Sequence, residues 1–501
     1  MERRDWTRRL PPGERLMSQP KKPTFGIRLS ATVTCIAGLL VASAAIANAG
    51  DASYFRHDQG VQDAQPLPDL DSEASLVWRT KLLPGHSTPC VCGSLLVLTT
   101  YDEQAAELAT VALDRETGDV QWTRPVPAES IEQVHRTGSP AASSPAFNGE
   151  HIFAFFGSYG LICYDLQGEL VWSRELGPFQ DEFGASSSPI LVDGKVILNE
   201  DHDIDSYIIA LDQETGETVW STPRAEATRS YSTPVIWNVD GEPQIVVAGA
   251  LKLTAYDPAT GEEIWWVNGL SRIVDTTPII NDRGLYLATW TPGGDTSNRI
   301  SMEPFENAAR EYDKNNDGEI AKEELDEGPV LQRFFRIDLN QNGALDAEEW
   351  ARHASVFERA QNVAIRVRPG GRGDVTDTHV DWIAREGLPV VPSPVVYRDV
   401  MYMVRDGGVV TTLDAESGDV IKQGRAVGGG NFYASAVAGD GKVFLASELG
   451  IVTVISADRD WEVISSRDFE ERIMATPVID RGRLYVRTDE ALYCFEAFNQ
   501  P

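Results

Sequence analysis

Two twelve-residue stretches near the middle of the chain carry the side chains best suited to chemistry. In 313–324, "DKNNDGEIAKEE", oxygen-bearing side chains stand at positions one, three and five (Asp313, Asn315, Asp317), and Glu324 closes at twelve. In 338–349, "DLNQNGALDAEE", the same slots hold Asp338, Asn340, Asn342 and Glu349, with Asp346 at position nine. Gly318 and Gly343 at position six allow a sharp turn, and Glu319 and Ala344 at seven offer backbone carbonyls. The logic of that pattern is oxygen crowding around a hard cation, and the cation it suits is calcium. Acidic turns can mimic one such loop, but two complete loops 25 residues apart are far more specific. With three carboxylates per loop, sites of roughly 10⁻⁴–10⁻³ M would still fill at extracellular calcium levels, which points to a structural role rather than signalling.

Elements must position these loops. The flanking segments "EPFENAAREY", "VLQRFFRI" and "WARHASVFERAQ" read as short amphipathic helices. Ile320 and Leu345, apolar at position eight, are predicted to pair the loops across a mini-strand. Helix, loop and helix in this order resemble the paired EF-hand.

The rest of the chain is a repeat. "LDRETGDVQW" (113–122), "LDQETGETVW" (211–220) and "YDPATGEEIW" (256–265) share one phrase, with partial copies at 164–172 and 413–422. A second phrase, a small triplet ending in proline, opens an apolar strand at 87–89, 143–145, 187–189, 232–234, 276–278, 392–394 and 475–477, and "ASA" at 434–436 fits the same phase. The intervals are 56, 44, 45, 44, 116, 42 and 41 residues. Four short strands in about 45 residues match one propeller blade. Within the phrase, one strand ends at Asp, the "xxTG" hairpin needs a glycine at positive φ, and the next strand carries Trp eight residues after Asp. A large aromatic at that fixed point is expected to wedge between blades.

Eight fronts need eight backs. Trp122, Trp172, Trp220, Trp265 and Trp382 supply five, Lys422 takes the slot in the sixth blade, and "DRDWEVI" is a degenerate seventh. The eighth front runs out at "LYCFEAF", while an unused strand, "SLVWRTKL", stands upstream of the first. The expected fold is an eight-bladed all-β propeller whose N-terminal strand closes the last blade and removes the open edges. The EF-hand pair is an insert between strands two and three of blade five. The expected division is 1–49 signal peptide, 50–75 linker, 76–300 and 363–498 propeller, and 301–362 insert.

These motifs resemble the pyrroloquinoline-quinone-like propeller family, which includes quinoprotein alcohol dehydrogenases and the outer-membrane assembly factor BamB. The resemblance covers nearly all of 76–498. The segments "RPGGRGDVT", "GLPVVPSPVVY" and "MATPVIDRGRLYVRT" look like secreted bacterial members of the BamB-like branch. The family hosts both enzymes and non-catalytic members, so it fixes fold more than function. The quinoprotein resemblance would ask for an adjacent Cys-Cys pair beside the quinone, and the chain has none, nor a C-x-x-C-H for haem. No G-x-S-x-G or H-E-x-x-H occurs. The expectation is a binding scaffold without catalytic residues or bound quinone. The alternative is a calcium-assisted quinoprotein dehydrogenase.

Composition narrows the partners. The 501 residues carry 44 basic and 76 acidic groups, a formal charge of −32, which repels phosphate backbones and anionic lipid. Lys21, Lys22 and Arg28 precede "TCIAGLLVASAAIANAG", and Ala47-Asn48-Ala49 makes an A-x-A site. This reads as a secretory signal peptide on an exported periplasmic or extracellular protein, with Met17 as an alternative start. The apolar run is short for a membrane anchor, and no span is expected in the mature chain, which is expected to be a monomer. Of the remaining cysteines, Cys163 and Cys494 occupy the slot held by Ala112, Ala210 and Ala255 in other copies, which favours core packing. Cys90 and Cys92 share a strand face, and one of them could pair with Cys494.

The insert should overhang the face where first strands enter the central channel. Residues three before each opening proline should look into its mouth, among them Tyr231, Asp275 and Tyr433, with Arg229, Arg272 and Arg472 nearby and His135 and Arg136 on the second blade's approach loop. Arginine and tyrosine at one mouth suit a protein, peptide or glycan ligand. An ordinary wet funnel of polar residues is the plainer alternative.

Overall fold

A computed structural model describes residues 54–203, 205–225, 229–295, 302–426 and 429–497; the segment expected to be a signal peptide, 1–49, lies outside the described residues. Eight antiparallel sheets follow one another, spanning 90–125, 146–175, 190–223, 235–268, 279–384, 395–425, 437–468 and 478–496. The eighth has three strands of its own and takes Leu76–Lys81 as its fourth, paired antiparallel to Ala491–Glu496. The ring is therefore closed by strand exchange between the two ends of the chain, as the sequence predicts. Blade four gains a fifth strand, Gly373–Asp374, parallel to Glu263–Asn268.

Each letter of the repeated phrase has a structural reason. The aspartate turns back on its own hairpin: Asp114 Oδ1 accepts from the Glu116 and Thr117 N–H groups at 2.9 Å, and Asp212, Asp257 and Asp414 do the same in their blades. The threonine hydroxyl accepts from the N–H two residues on, at Thr117, Thr215 and Thr260. The glycine meets the tryptophan of the preceding blade. A Cβ on Gly168 would lie 2.7 Å from Cδ2 of Trp122, and Gly168 also has φ +77°. The indole N–H groups then donate to carbonyls of that neighbouring turn: Trp122 to Leu166 at 3.0 Å, Trp172 to Gln213 at 2.9 Å, Trp220 to Pro258 at 3.0 Å. Ala112, Cys163, Ala210, Ala255 and Cys494 are the direct cross-strand partners of Trp122, Trp172, Trp220, Trp265 and Trp78, which is why that slot stays small.

Two tryptophan slots depart from the pattern, each for a visible reason. Blade five has no "xxTG" turn to receive Trp265, because its third strand, Val363–Val367, leads into a long connection. Trp265 instead donates to Gln244 Oε1 at 2.8 Å, and its backbone pairs beside the added strand at Gly373. In blade six, Lys422 donates to the Trp461 carbonyl at 2.7 Å and places its ammonium 4.8 Å from that ring's centroid. The indole of the next blade thus compensates the missing one.

The prolines' triplets stitch the inner ring. The middle residue is a hydroxyl in all eight copies (Thr88, Ser144, Ser188, Thr233, Thr277, Ser393, Ser435, Thr476). At six junctions its backbone N–H donates to the equivalent hydroxyl of the next blade, from Thr88 to Ser144 at 2.9 Å through to Ser435 to Thr476 at 3.0 Å. Such bonds satisfy first-strand donors that have no inner neighbour in their own sheet.

No disulfide forms among the described residues. Cys90 and Cys92 pack into the core shared with blade two, whereas Cys494 packs toward blade one with Val91. The pairing considered from sequence is therefore not formed.

The insert folds as read: helices α1 (Phe305–Tyr312), α2 (Pro329–Ile337) and α3 (Ala347–Arg359), and a two-residue sheet in which Ile320 faces Leu345. Ala308, Ile320, Leu325, Phe334, Ile337, Leu345 and Trp350 give it a core of its own.

Candidate functional site

The channel is closed at one end by the chain itself. Residues 54–62, read from sequence as part of a linker, run across the ring. Tyr54 packs on the cores that blade three shares with blades two and four. The buried Arg56 guanidinium donates to the carbonyls of Ala436 at 2.8 Å and Pro394 at 2.7 Å. Gln59 Oε1 accepts from Ile280 N at 2.8 Å, and Val61 bridges Ala438. Beyond this plug lies a cavity of about 430 Å³ whose floor includes Phe55. The hydroxyl belt makes up much of its wall, and the residues three before each opening proline all reach it.

Four of the six channel residues singled out in the sequence line this cavity: Tyr231, Asp275, Tyr433 and Arg272. The Tyr231 hydroxyl donates to Asp181 Oδ1 at 2.8 Å. Asp275 has no hydrogen bond or ion pair among the described residues, and burial pushes its carboxyl up to about 7 against the opposing pull of Arg272. Arg272 donates to the Pro292 carbonyl at 3.0 Å and stacks 5.4 Å from the Phe357 ring of α3. The other two lie elsewhere. Arg229 is locked between Asp203 and Glu182 beneath the insert, and Arg472 faces Asp489 at 3.8 Å in a separate surface groove. His135 and Arg136 are exposed; the His135 ring rests 5.2 Å from Phe183.

Sequence reading missed a buried acidic layer beside the cavity. Burial pushes Glu132 up to about 8 and Asp181 up to about 7, and raises Glu200 well above the carboxylate range. His202, stacked 3.9 Å from Phe179, is held neutral by burial, down to about 3. Glu132, Asp181 and His202 sit in irregular connections, where no periodicity marks them, and Glu200 ends the strand Lys195–Glu200.

The insert sits on the channel rim. Gln180 donates to the Leu339 carbonyl at 3.0 Å, and Ile337, Leu339, His353 and Val356 share a cleft with Arg229, Arg272 and Ile273. Within the loops the side-chain oxygens turn inward on their own backbone. Asp313 accepts from Asn316, Asp317 and Gly318, and Asp338 from Gly343. Asn315 accepts from Asp317, Asn340 from Asn342, and Asn342 from Ala344. Glu324 caps Lys314, Asn315 and Ala321; Glu349 caps Leu339, Asn340 and Asp346. Gly318 (φ +92°) and Gly343 (φ +87°) take the required reversals. Asp338 Oδ1 is buried with no hydrogen-bond partner, which fits an oxygen that would face a cation. Among the described residues no three His, Cys, Asp or Glu side chains already converge as a metal cage, so both closing glutamates would have to exchange N–H partners for the ion. The oxygen donor set fits a hard cation.

The family model for the EF hand matches residues 331–352, the second loop and its flanks. A search of curated proteins finds no match. Among solved structures, BamB from Moraxella catarrhalis superposes with a TM-score of 0.52 at 13% identity, covering 84% of this chain and 99% of that one. The computationally designed Ika8 protein gives 0.50 at 8% identity, covering 83% and 98%. A europium-containing methanol dehydrogenase gives 0.49 at 11% identity, over 87% and 89%. At these identities the likeness is one of fold. No helix among the described residues is long and apolar enough to cross a membrane. The family model described as outer membrane protein assembly factor BamB matches 61–183, 111–277 and 373–500, which is most of the ring and leaves out the insert. On that span the chain belongs to the BamB family of β-propellers.

Proposed function

We propose that this chain is an exported, monomeric, non-catalytic scaffold, periplasmic or extracellular, that presents its channel face to a protein, peptide or glycan ligand. Two calcium ions held by the insert would shape that face. In the first loop the ligands would be Asp313, Asn315, Asp317, the Glu319 carbonyl and Glu324. In the second they would be Asp338, Asn340, Asn342, the Ala344 carbonyl and Glu349, with Asp346 through a water. The supporting observation is the docking of the second loop on the rim, through the Gln180 to Leu339 hydrogen bond and the Arg272 stack on Phe357. Calcium supplies fixed positive charge there and holds α2 and α3 at one angle. The side chains of the rim do the recognising.

The reading is tested by capture from envelope extract with calcium, with chelator, and with a Glu324→Gln/Glu349→Gln variant. A partner retained only by the calcium-loaded wild type is expected, and the same recovery in all three arms would refute a calcium-shaped face. The quinoprotein alternative is tested separately by an absorbance scan after adding quinone and calcium, followed by an alcohol and dye assay. Dye reduction there would replace the scaffold reading.

A further inference from the structure

We propose that the blind cavity is a binding site for an alkylammonium group, with Asp275 as its counter-ion. This deepens the scaffold reading, and rests on it, by naming the chemistry that the channel recognises. Asp275 faces the cavity without a hydrogen bond or ion pair among the described residues, although burial makes a lone carboxylate costly. Phe55, Phe183, Tyr231 and Tyr433 contribute aromatic surface to the same wall, and aromatic faces attract cations of low charge density. The hydroxyl belt supplies oxygens that an ammonium can donate to.

Other occupants fit less well. A divalent metal wants several carboxylates at one point, and the cavity wall brings only Asp275 and Glu182. A neutral sugar would bring no charge to Asp275 and leave it only the pull of Arg272. An anion would meet Asp275 and Glu182 on the wall against Arg272, whose guanidinium is engaged at the rim by Pro292 and Phe357. The cavity, about 430 Å³, is of the size that holds small ligands. The ammonium has two possible sources, a free alkylamine or the lysyl side chain of a partner peptide, and the chemistry at Asp275 is the same for both.

The test uses the full chain with calcium and titrates n-butylammonium, acetyl-Gly-Lys-Gly-amide and 1-butanol by calorimetry and ligand-observed NMR, in wild type and Asp275→Asn. Both or either of the amines should bind, 1-butanol should bind at least tenfold more weakly, and Asp275→Asn should weaken the amines at least tenfold. Binding of the peptide alone would assign the source as a lysyl side chain; binding of butylammonium alone would assign a free amine. Because burial raises the Asp275 carboxyl to about 7, wild-type affinity should also fall from pH 8 to pH 6. The other titratable groups on the wall are Glu182, Arg272, Tyr231, Tyr433 and His86, the last held neutral down to about 3. The proposal is overturned if neither amine binds, if 1-butanol matches them, or if Asp275→Asn changes nothing while its Tm and calcium stoichiometry stay those of wild type. Calcium-dependent capture of a partner is scored on the wild type in parallel, so failure of both amines to bind with capture intact would sink this assignment and leave the scaffold reading standing.

Discussion

Removing the indole of Trp122 and adding a methyl to Gly168 are not independent perturbations. Trp122 is 8% exposed, and its ring lies on the Gly168 backbone of the next blade with the N–H bonded to Leu166. Trp122→Ala should therefore cost about 3–5 kcal/mol. Gly168→Ala pays twice: roughly 1 kcal/mol for an L-residue at φ +77°, and about 2 kcal/mol because the new Cβ would sit 2.7–3.0 Å from three indole carbons. Once the indole is gone only the backbone cost remains, so Gly168→Ala should cost about 3 kcal/mol in wild type and about 1 kcal/mol in Trp122→Ala. The coupling of about 2 kcal/mol is read from a double-mutant cycle by urea unfolding followed with far-UV circular dichroism. Effects that simply add, within about 0.5 kcal/mol, would refute the claim that the repeated glycine is chosen for its neighbour's ring.

Calcium titration should give two ions per chain in wild type and one in Glu324→Gln or Glu349→Gln, counted by calorimetry after chelator treatment; an unchanged count would remove those glutamates from the ligand set. Arg56→Ala withdraws three charge-assisted hydrogen bonds, two of them tying the plug to the ring, and should cost about 3 kcal/mol, seen as a lower Tm and faster proteolysis near residue 60. The pH dependence follows from carboxyls raised in the folded state. Below about pH 4 both states hold the proton. Above it the unfolded chain releases protons that Glu132 (about 8), Asp181 and Asp275 (both about 7) still keep, so these groups lower stability as pH rises toward 8. Glu132→Gln should accordingly raise Tm at pH 8 and leave it nearly unchanged at pH 4; equal effects at both would contradict the assignment.

What could be read from the sequence was whatever repeats or obeys a fixed spacing. Blade count, ring closure by "SLVWRTKL", the place of the insert and the Ile320–Leu345 pair all follow from periodic signals whose partners are set by local rules. The triplet's middle hydroxyl was visible in all eight copies, yet its purpose needed the neighbouring blade to be in place. The plug could not be foreseen, because Arg56 and Gln59 bond to residues hundreds of positions away and, with Tyr54, form no regular element. Arg229 and Arg472 look like Arg272 in sequence, but Asp203 and Glu182 hold the first beneath the insert, while Asp489 lies beside the second outside the cavity. Side-chain direction in irregular loops is set by such partners rather than by local pattern.

Hydrogen–deuterium exchange on the full chain, with calcium and with chelator, tests most directly whether the insert shapes the channel face. Filling both loops should protect 302–362 and, through Gln180 and Arg272, the rim segments 177–183 and 269–275, while the far hairpins stay unchanged. Protection confined to the insert, or none at all, would mean that the paired loops and the ring are merely neighbours in one chain.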